Sequence, residues 1–189
     1  MNDTLTVAEA TEQAGLEAAK ALADARESLD RATVTASSER SRMVALILET
    51  RPSGLLSVDR IAEAINRNRN YVDSLWSDHK IRHHGGEATQ TRVEPSGSTA
   101  AAKARFAELH QASERVRASE GDVLFFRDAR NRAIVQAYES GSLGPVKIAE
   151  YSGIDRNHVG RVLRKAGVNP RYRTNTRNQH MKTGKRSAE

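Results

Sequence analysis

The strongest constraint on this chain is that it repeats itself. Shifted by 87 residues with no gap, an early segment falls on a later one: Ile61-Ala62-Glu63 on Ile148-Ala149-Glu150, Arg69-Asn70 on Arg156-Asn157, Val72 on Val159, Leu75 on Val162 and Trp76 on Leu163. The register extends upstream, with Ile47 on Ile134, Leu48 on Val135, Gly54 on Gly141 and Leu56 on Leu143. It weakens but persists through Leu22 on Leu109, Ala25 on Ala112 and Leu29 on Val116. A gapless register of apolar positions over this span predicts an internal duplication, each copy a supersecondary unit of the same kind. The fold of the whole is then read from whichever copy is better defined.

The second copy is better defined. Ile148 and Ala149 begin an apolar face, and Gly153 follows four residues after Ala149, where a left-handed residue would end one helix and aim the next. Ile154 is expected to be buried after that turn. Asp155 is a good N-cap, and Val159, Val162 and Leu163 recur at the spacing of a buried helix face. Over about twenty residues this arrangement resembles the helix-turn-helix of bacterial and phage DNA-binding proteins, a family whose second helix lies in the major groove. The first copy has Asn66 at the turn, the next-best residue for a left-handed backbone, but Arg67 where the second has Ile154.

Helix signals upstream extend the pattern. Thr6-Val7-Ala8-Glu9 has the form of a capping box, and a long helix is expected from Val7 to about Arg31. Its apolar stripe is read as Val7, Ala10, Ala14, Ala18, Ala21 and Ala25, widened by Leu16, Ala19, Leu22 and Leu29. This narrow alanine seam would pack on residues 99–118 or on another chain. Thr33 to Ser38 reads as a break before a helix carrying Met43, Leu46 and Ile47. Ser57 and Asn68 read as caps of the next two helices. Ser98 or Thr99 would cap a second long helix with Phe106, Leu109, Ser113 and Val116 on one side, broken at Glu120-Gly121-Asp122. The expected architecture is all-α: a long helix over 1–36, a helix-turn-helix domain over 37–84, a flexible linker over 85–98, a second long helix over 99–120, a second helix-turn-helix domain over 121–168 and a disordered basic tail over 169–189.

Charge separates the two ends. The chain carries 30 Lys and Arg against 24 Asp and Glu, net +6. Residues 1–30 hold seven acids and two bases, Lys20 and Arg26, whereas residues 156–188 hold ten bases and no acid. A basic end behind a groove-entering helix suits a polyanion partner. The absence of Cys removes disulfides and thiolate metal sites. The polar start is unlike a signal peptide, and the longest apolar run, Met43 to Leu48, is too short for a bilayer, so a cytoplasmic, nucleoid-associated protein with no membrane partner is expected. His79 and His83 stand at i, i+4, but only Asp78 is nearby, and a solvated helix end is the better reading than a metal site. No phosphate-binding glycine loop, nucleophile elbow or zinc-binding His–Glu pair is present, so neither catalytic residues nor a cofactor is expected.

The resemblance implies double-stranded DNA as partner, with a homodimer through the N-terminal helix as a further option. Arg156 and Asn157, and their counterparts Arg69 and Asn70, are residue types that read guanine and adenine edges. The expected contact set is Arg69, Asn70, Tyr71 and Ser74 from the first copy and Arg156, Asn157, His158, Gly160, Arg161, Arg164 and Lys165 from the second. Gly160 would let the helix backbone approach DNA, and Arg171, Arg173 and Arg177 of the tail would follow phosphates. The expected function is a bacterial or phage transcriptional regulator, such as a repressor, engaging two sub-sites. A plasmid or phage replication or partition protein, or an adaptor in which one copy binds a protein, are the alternatives.

Overall fold

The structure, a computed structural model, describes residues 6–84 and 99–170. Among them the chain is all-α, with α1 (Val7–Ser53), α2 (Val58–Ala64), α3 (Arg69–His84), α4 (Ala100–Glu139), α5 (Pro145–Ser152) and α6 (Arg156–Lys165). None of these helices is long and apolar enough to cross a membrane. The expected linker over 85–98 and the tail from 171 onward lie outside the described residues.

Two expected breaks do not occur. α1 runs without interruption through 33–38, and α4 through 120–122, so the boundaries placed at 36/37 and 120/121 fall inside helices. The polar residues that suggested a break are accommodated by the helix itself. Thr33 and Thr35 donate their hydroxyls to the Leu29 and Arg31 carbonyls, and Ser41 donates to Ser37. Gly121 is exposed, and a helical glycine costs about 1 kcal/mol relative to alanine, which burial of the neighbouring Val116 and Ser119 offsets. Packing, not local propensity, decides helices of this length.

The packed face of α1 explains why. Its buried and half-buried positions Gly15, Ala18, Leu22, Ala25, Leu29, Ala32, Ala36, Glu39 and Met43 step alternately by three and four residues, the heptad spacing of a coiled-coil seam. The expected period is therefore present, but its phase differs: Ala10, Ala14 and Ala21 are exposed and Leu16 is 61% exposed. Alanine occurs on every side of this helix, so the leucines at 22 and 29 carry the phase.

The residues group into two compact units that do not follow chain order. Among the described residues, one is built from 6–23 together with 131–170, the other from 24–84 together with 99–130. In the first unit Leu22 is fully buried with Ile134, Ala137, Ile148, Val159 and Leu163. In the second, Ala102, Leu109, Ala112 and Val116 of α4 join Met43, Ile47, Ile61, Ile65 and Val72. Each helix pair thus has its core closed by the long helix of the other half of the chain. The N-terminal helix up to Ala23 therefore packs on the second helix pair, not on residues 99–118, and Leu22, the largest buried residue of that face, is used within the chain.

Positions 87 apart occupy matching places. Leu22 and Leu109, Ile47 and Ile134, Ile61 and Ile148, and Val72 and Val159 are all at most 1% exposed. Gly54 and Gly141 share positive φ values of 67° and 72°, and Asn66 and Gly153 of 50° and 68°. Asn66 is the non-glycine residue that takes this conformation among those described, at the position where asparagine was expected to stand in for glycine.

Candidate nucleic-acid interface

The α5–α6 pair is fixed by its buried side. α5 begins with Pro145, whose missing N–H costs nothing in a first turn. Ile148 is fully buried, and Ser152, 1% exposed, donates its hydroxyl to the Ile148 carbonyl. Gly153 ends the helix in the left-handed region, and the Ile154 amide returns to the Ala149 carbonyl at 3.3 Å. Ile154 is half-buried against the same core. Asp155 then caps α6: its Oδ1 accepts from the His158 amide at 2.9 Å, and this hydrogen bond holds the carboxyl below the usual aspartate range. Val159 and Leu163 point inward with no exposure. Past the end of α6, Gly167 is left-handed at φ 80° and the Val168 amide donates to the Leu163 carbonyl at 2.9 Å.

This inward face determines what faces out. Arg156, Asn157, Arg161, Arg164 and Lys165 are exposed, and His158 is half-buried. Asn157, Arg161 and Arg164 follow one another at helical spacing, so they form one stripe. From Arg156 to Lys165 there are four bases and no acid, a net charge of +4. Arg164 and Lys165 lie in the last turn, where the helix dipole favours cations. Gly160 departs from expectation. It is buried in the free protein, so its backbone faces protein rather than an incoming ligand. Arg171, Arg173 and Arg177 lie outside the described residues.

The α2–α3 pair turns in the same left-handed way, but α2 starts from a side-chain cap where α5 has Gly144 without one, and the outer face differs. Ser57 Oγ accepts from the Arg60 amide at 3.3 Å, and Asn68 Oδ1 from the Tyr71 amide at 2.9 Å. Val72 is buried without exposure, and Leu75 packs beside it. Arg67, in the place of Ile154, is exposed with its guanidinium 5.8 Å from the Tyr71 ring centroid. Tyr71 is half-buried against the core, leaving Asn70 and Ser74 exposed at the expected reading positions. Arg69 is exposed but engaged on two sides: its Nη1 lies 3.3 Å from Asp59 Oδ2, and its Nε lies 3.4 Å from Asp73 Oδ2. Asp73 is shared, its Oδ1 taking Arg51 Nη1 at 2.8 Å. Arg51 also donates to the Val72 carbonyl and lies over the Trp76 ring, 5.4 Å from its centroid.

The sequence placed Arg69 and Asp73 on this helix but not Arg51 and Asp59 beside them, because those two come from α1 and α2. The C-terminal end of α2 is also tied by two residues of α4: Ser113, which helical spacing placed on one side of that helix, and His110, which the sequence did not single out. Ser113 donates its hydroxyl to the Ile65 carbonyl at 2.9 Å, and His110 Nδ1 lies 3.3 Å from the Ala64 carbonyl. Ser113 and His110 match Arg26 and Ala23 in the earlier helix, so neither side chain recurs there. No group of three or more potential metal ligands occurs among the described residues. No family model, curated relative or solved structure matches the chain.

Proposed function

We propose that this chain binds double-stranded DNA in a sequence-specific manner through a helix-turn-helix module, as a transcriptional regulator of the bacterial or phage kind. α6 is the helix that enters the major groove. The observation that carries this reading is the pairing of opposite faces on α6. Val159 and Leu163 fix one side in the core, and the other side presents Arg156, Asn157, Arg161, Arg164 and Lys165 with no acid among residues 156–165.

Roles divide by chemistry. Arginine pairs bidentately with a guanine edge and asparagine with an adenine edge, so Arg156 and Asn157, at the leading end of the helix, read bases. Arg161, Arg164 and Lys165 contact phosphates and set register. Selection of binding sites from a random duplex pool, using the full chain, tests the reading. An enriched motif is expected, with Arg156→Ala and Asn157→Ala each relaxing it by about 1–3 kcal/mol at one base step. Selection that enriches no motif would overturn sequence-specific binding.

A further inference from the structure

The two helix pairs differ most where they should be most alike. At the ten matching positions from the start of each second helix, Arg69 to Asp78 holds one arginine against two aspartates, net −1, while Arg156 to Lys165 holds four bases, net +4. Ser74, Ser77 and Asp78 stand where the later helix has Arg161, Arg164 and Lys165. The residues that bracket the first arginine also differ between the pairs. Asp59 and Asp73, which bracket Arg69, stand where the second pair has Val146 and Gly160. Neither carboxylate is therefore shared by the two helix pairs.

We infer that Asp59 and Asp73 hold the first helix pair off the bases, so that the chain reads DNA through α6 alone although both pairs keep the Arg-Asn dipeptide. This rests on the reading of α6 as a DNA-binding helix. The reasoning is electrostatic. A guanidinium reads guanine with one of two donor pairs, Nη1 with Nη2 or Nε with Nη2, and in Arg69 one atom of each pair, Nη1 and Nε, already faces a carboxylate oxygen. Exchanging them for a base edge would leave Asp59 and Asp73 in a groove walled by phosphate, and like charges brought close disfavour association. Both ion pairs are exposed, so they are weak in themselves. What keeps α3 out is the negative charge that would remain, Asp59 without Arg69 and Asp73 balanced by Arg51 alone. Asp73 is anchored from behind by Arg51, which is only 23% exposed, so the carboxylate cannot swing clear.

The test compares footprints and salt dependence for the full-length wild type, Arg69→Ala, and the double variant Asp59→Asn/Asp73→Asn. Asparagine keeps the shape and lets residue 73 still accept from Arg51. Wild type should protect one sub-site, and Arg69→Ala should change neither its extent nor its affinity. The double variant should extend protection by about one helical turn of DNA, near 10 base pairs, and steepen the slope of log K against log salt by about 0.9 for each further phosphate neutralised. If wild type already protects two sub-sites and Arg69→Ala erases one, the inference is overturned. The same follows if the double variant, folded by circular dichroism, binds like wild type, and in that case DNA binding through α6 stands. If wild type binds no duplex at all, that reading falls and the inference with it.

Discussion

Leu22→Ala should loosen a helix pair that begins more than a hundred residues later in the chain. Leu22 has no exposure, and its neighbours in the core are Ile134, Ile148, Val159 and Leu163. The substitution removes three carbons, about 2.4 kcal/mol at roughly 0.8 kcal/mol each, and the cavity left behind raises the cost to as much as ~5 kcal/mol. Against a typical domain stability of about 5–15 kcal/mol, this is a large part of what holds the unit together. Amide hydrogen exchange reads the effect by segment. Protection across α5 and α6 should fall by about 50-fold or more, since 1.4 kcal/mol is tenfold, while α2 and α3 change little. Leu109→Ala, at the matching position in the other core, should do the converse. Loss confined to α2 and α3 in Leu22→Ala, or no loss in α5 and α6, would refute the pairing of Leu22 with the second helix pair.

The same packing predicts that a fragment from residue 99 onward binds DNA weakly, because it lacks Leu22. A peptide spanning 6–30 added in trans should restore binding, and a fragment that binds like the full chain without the peptide would count against this. Asp155→Ala should destabilise α6, measured by urea denaturation. Because the folded aspartate is depressed by its bond to the His158 amide, its contribution is complete above the ordinary aspartate range and disappears as pH falls through the depressed folded value. The difference between wild type and Asp155→Ala should therefore shrink only in strong acid, and a difference already gone at about pH 5, above the ordinary aspartate range, would contradict the cap.

The local grammar of the chain was legible before its tertiary arrangement. Ser57, Asn68 and Asp155 cap the helices at which they were placed, and Asn66 and Gly153 take the left-handed turns their side chains allow. These are short-range choices, made by a side chain and the backbone within three or four residues of it. The breaks expected at 33–38 and 120–122 failed because Thr, Ser and Gly disfavour a helix only locally, and burial of Ala32, Ala36, Val116 and Ser119 outweighs that preference. The phase of the α1 seam was hidden by alanine on every face. That Leu22 closes the second core and Leu109 the first was not readable, since the 87-residue register makes each leucine an equally good fit to either helix pair. The ion pairs around Arg69 were missed for a related reason: Arg51, Asp59 and Asp73 come from three helices, and only the fold brings them to one point. Gly160 was misjudged because a glycine in a helix gives no sign of which side it faces.

The most direct test of DNA binding through α6 is the salt dependence of duplex affinity, measured on the full chain and on Arg161→Ala/Arg164→Ala. Both side chains are exposed on α6, so the double variant should fold as wild type does. If they contact phosphates, the slope of log K against log salt should become shallower by about 1.8, or roughly 0.9 for each phosphate no longer neutralised, and affinity should fall for all sequences alike. A double variant whose slope and affinity match wild type would mean that α6 does not meet the DNA backbone.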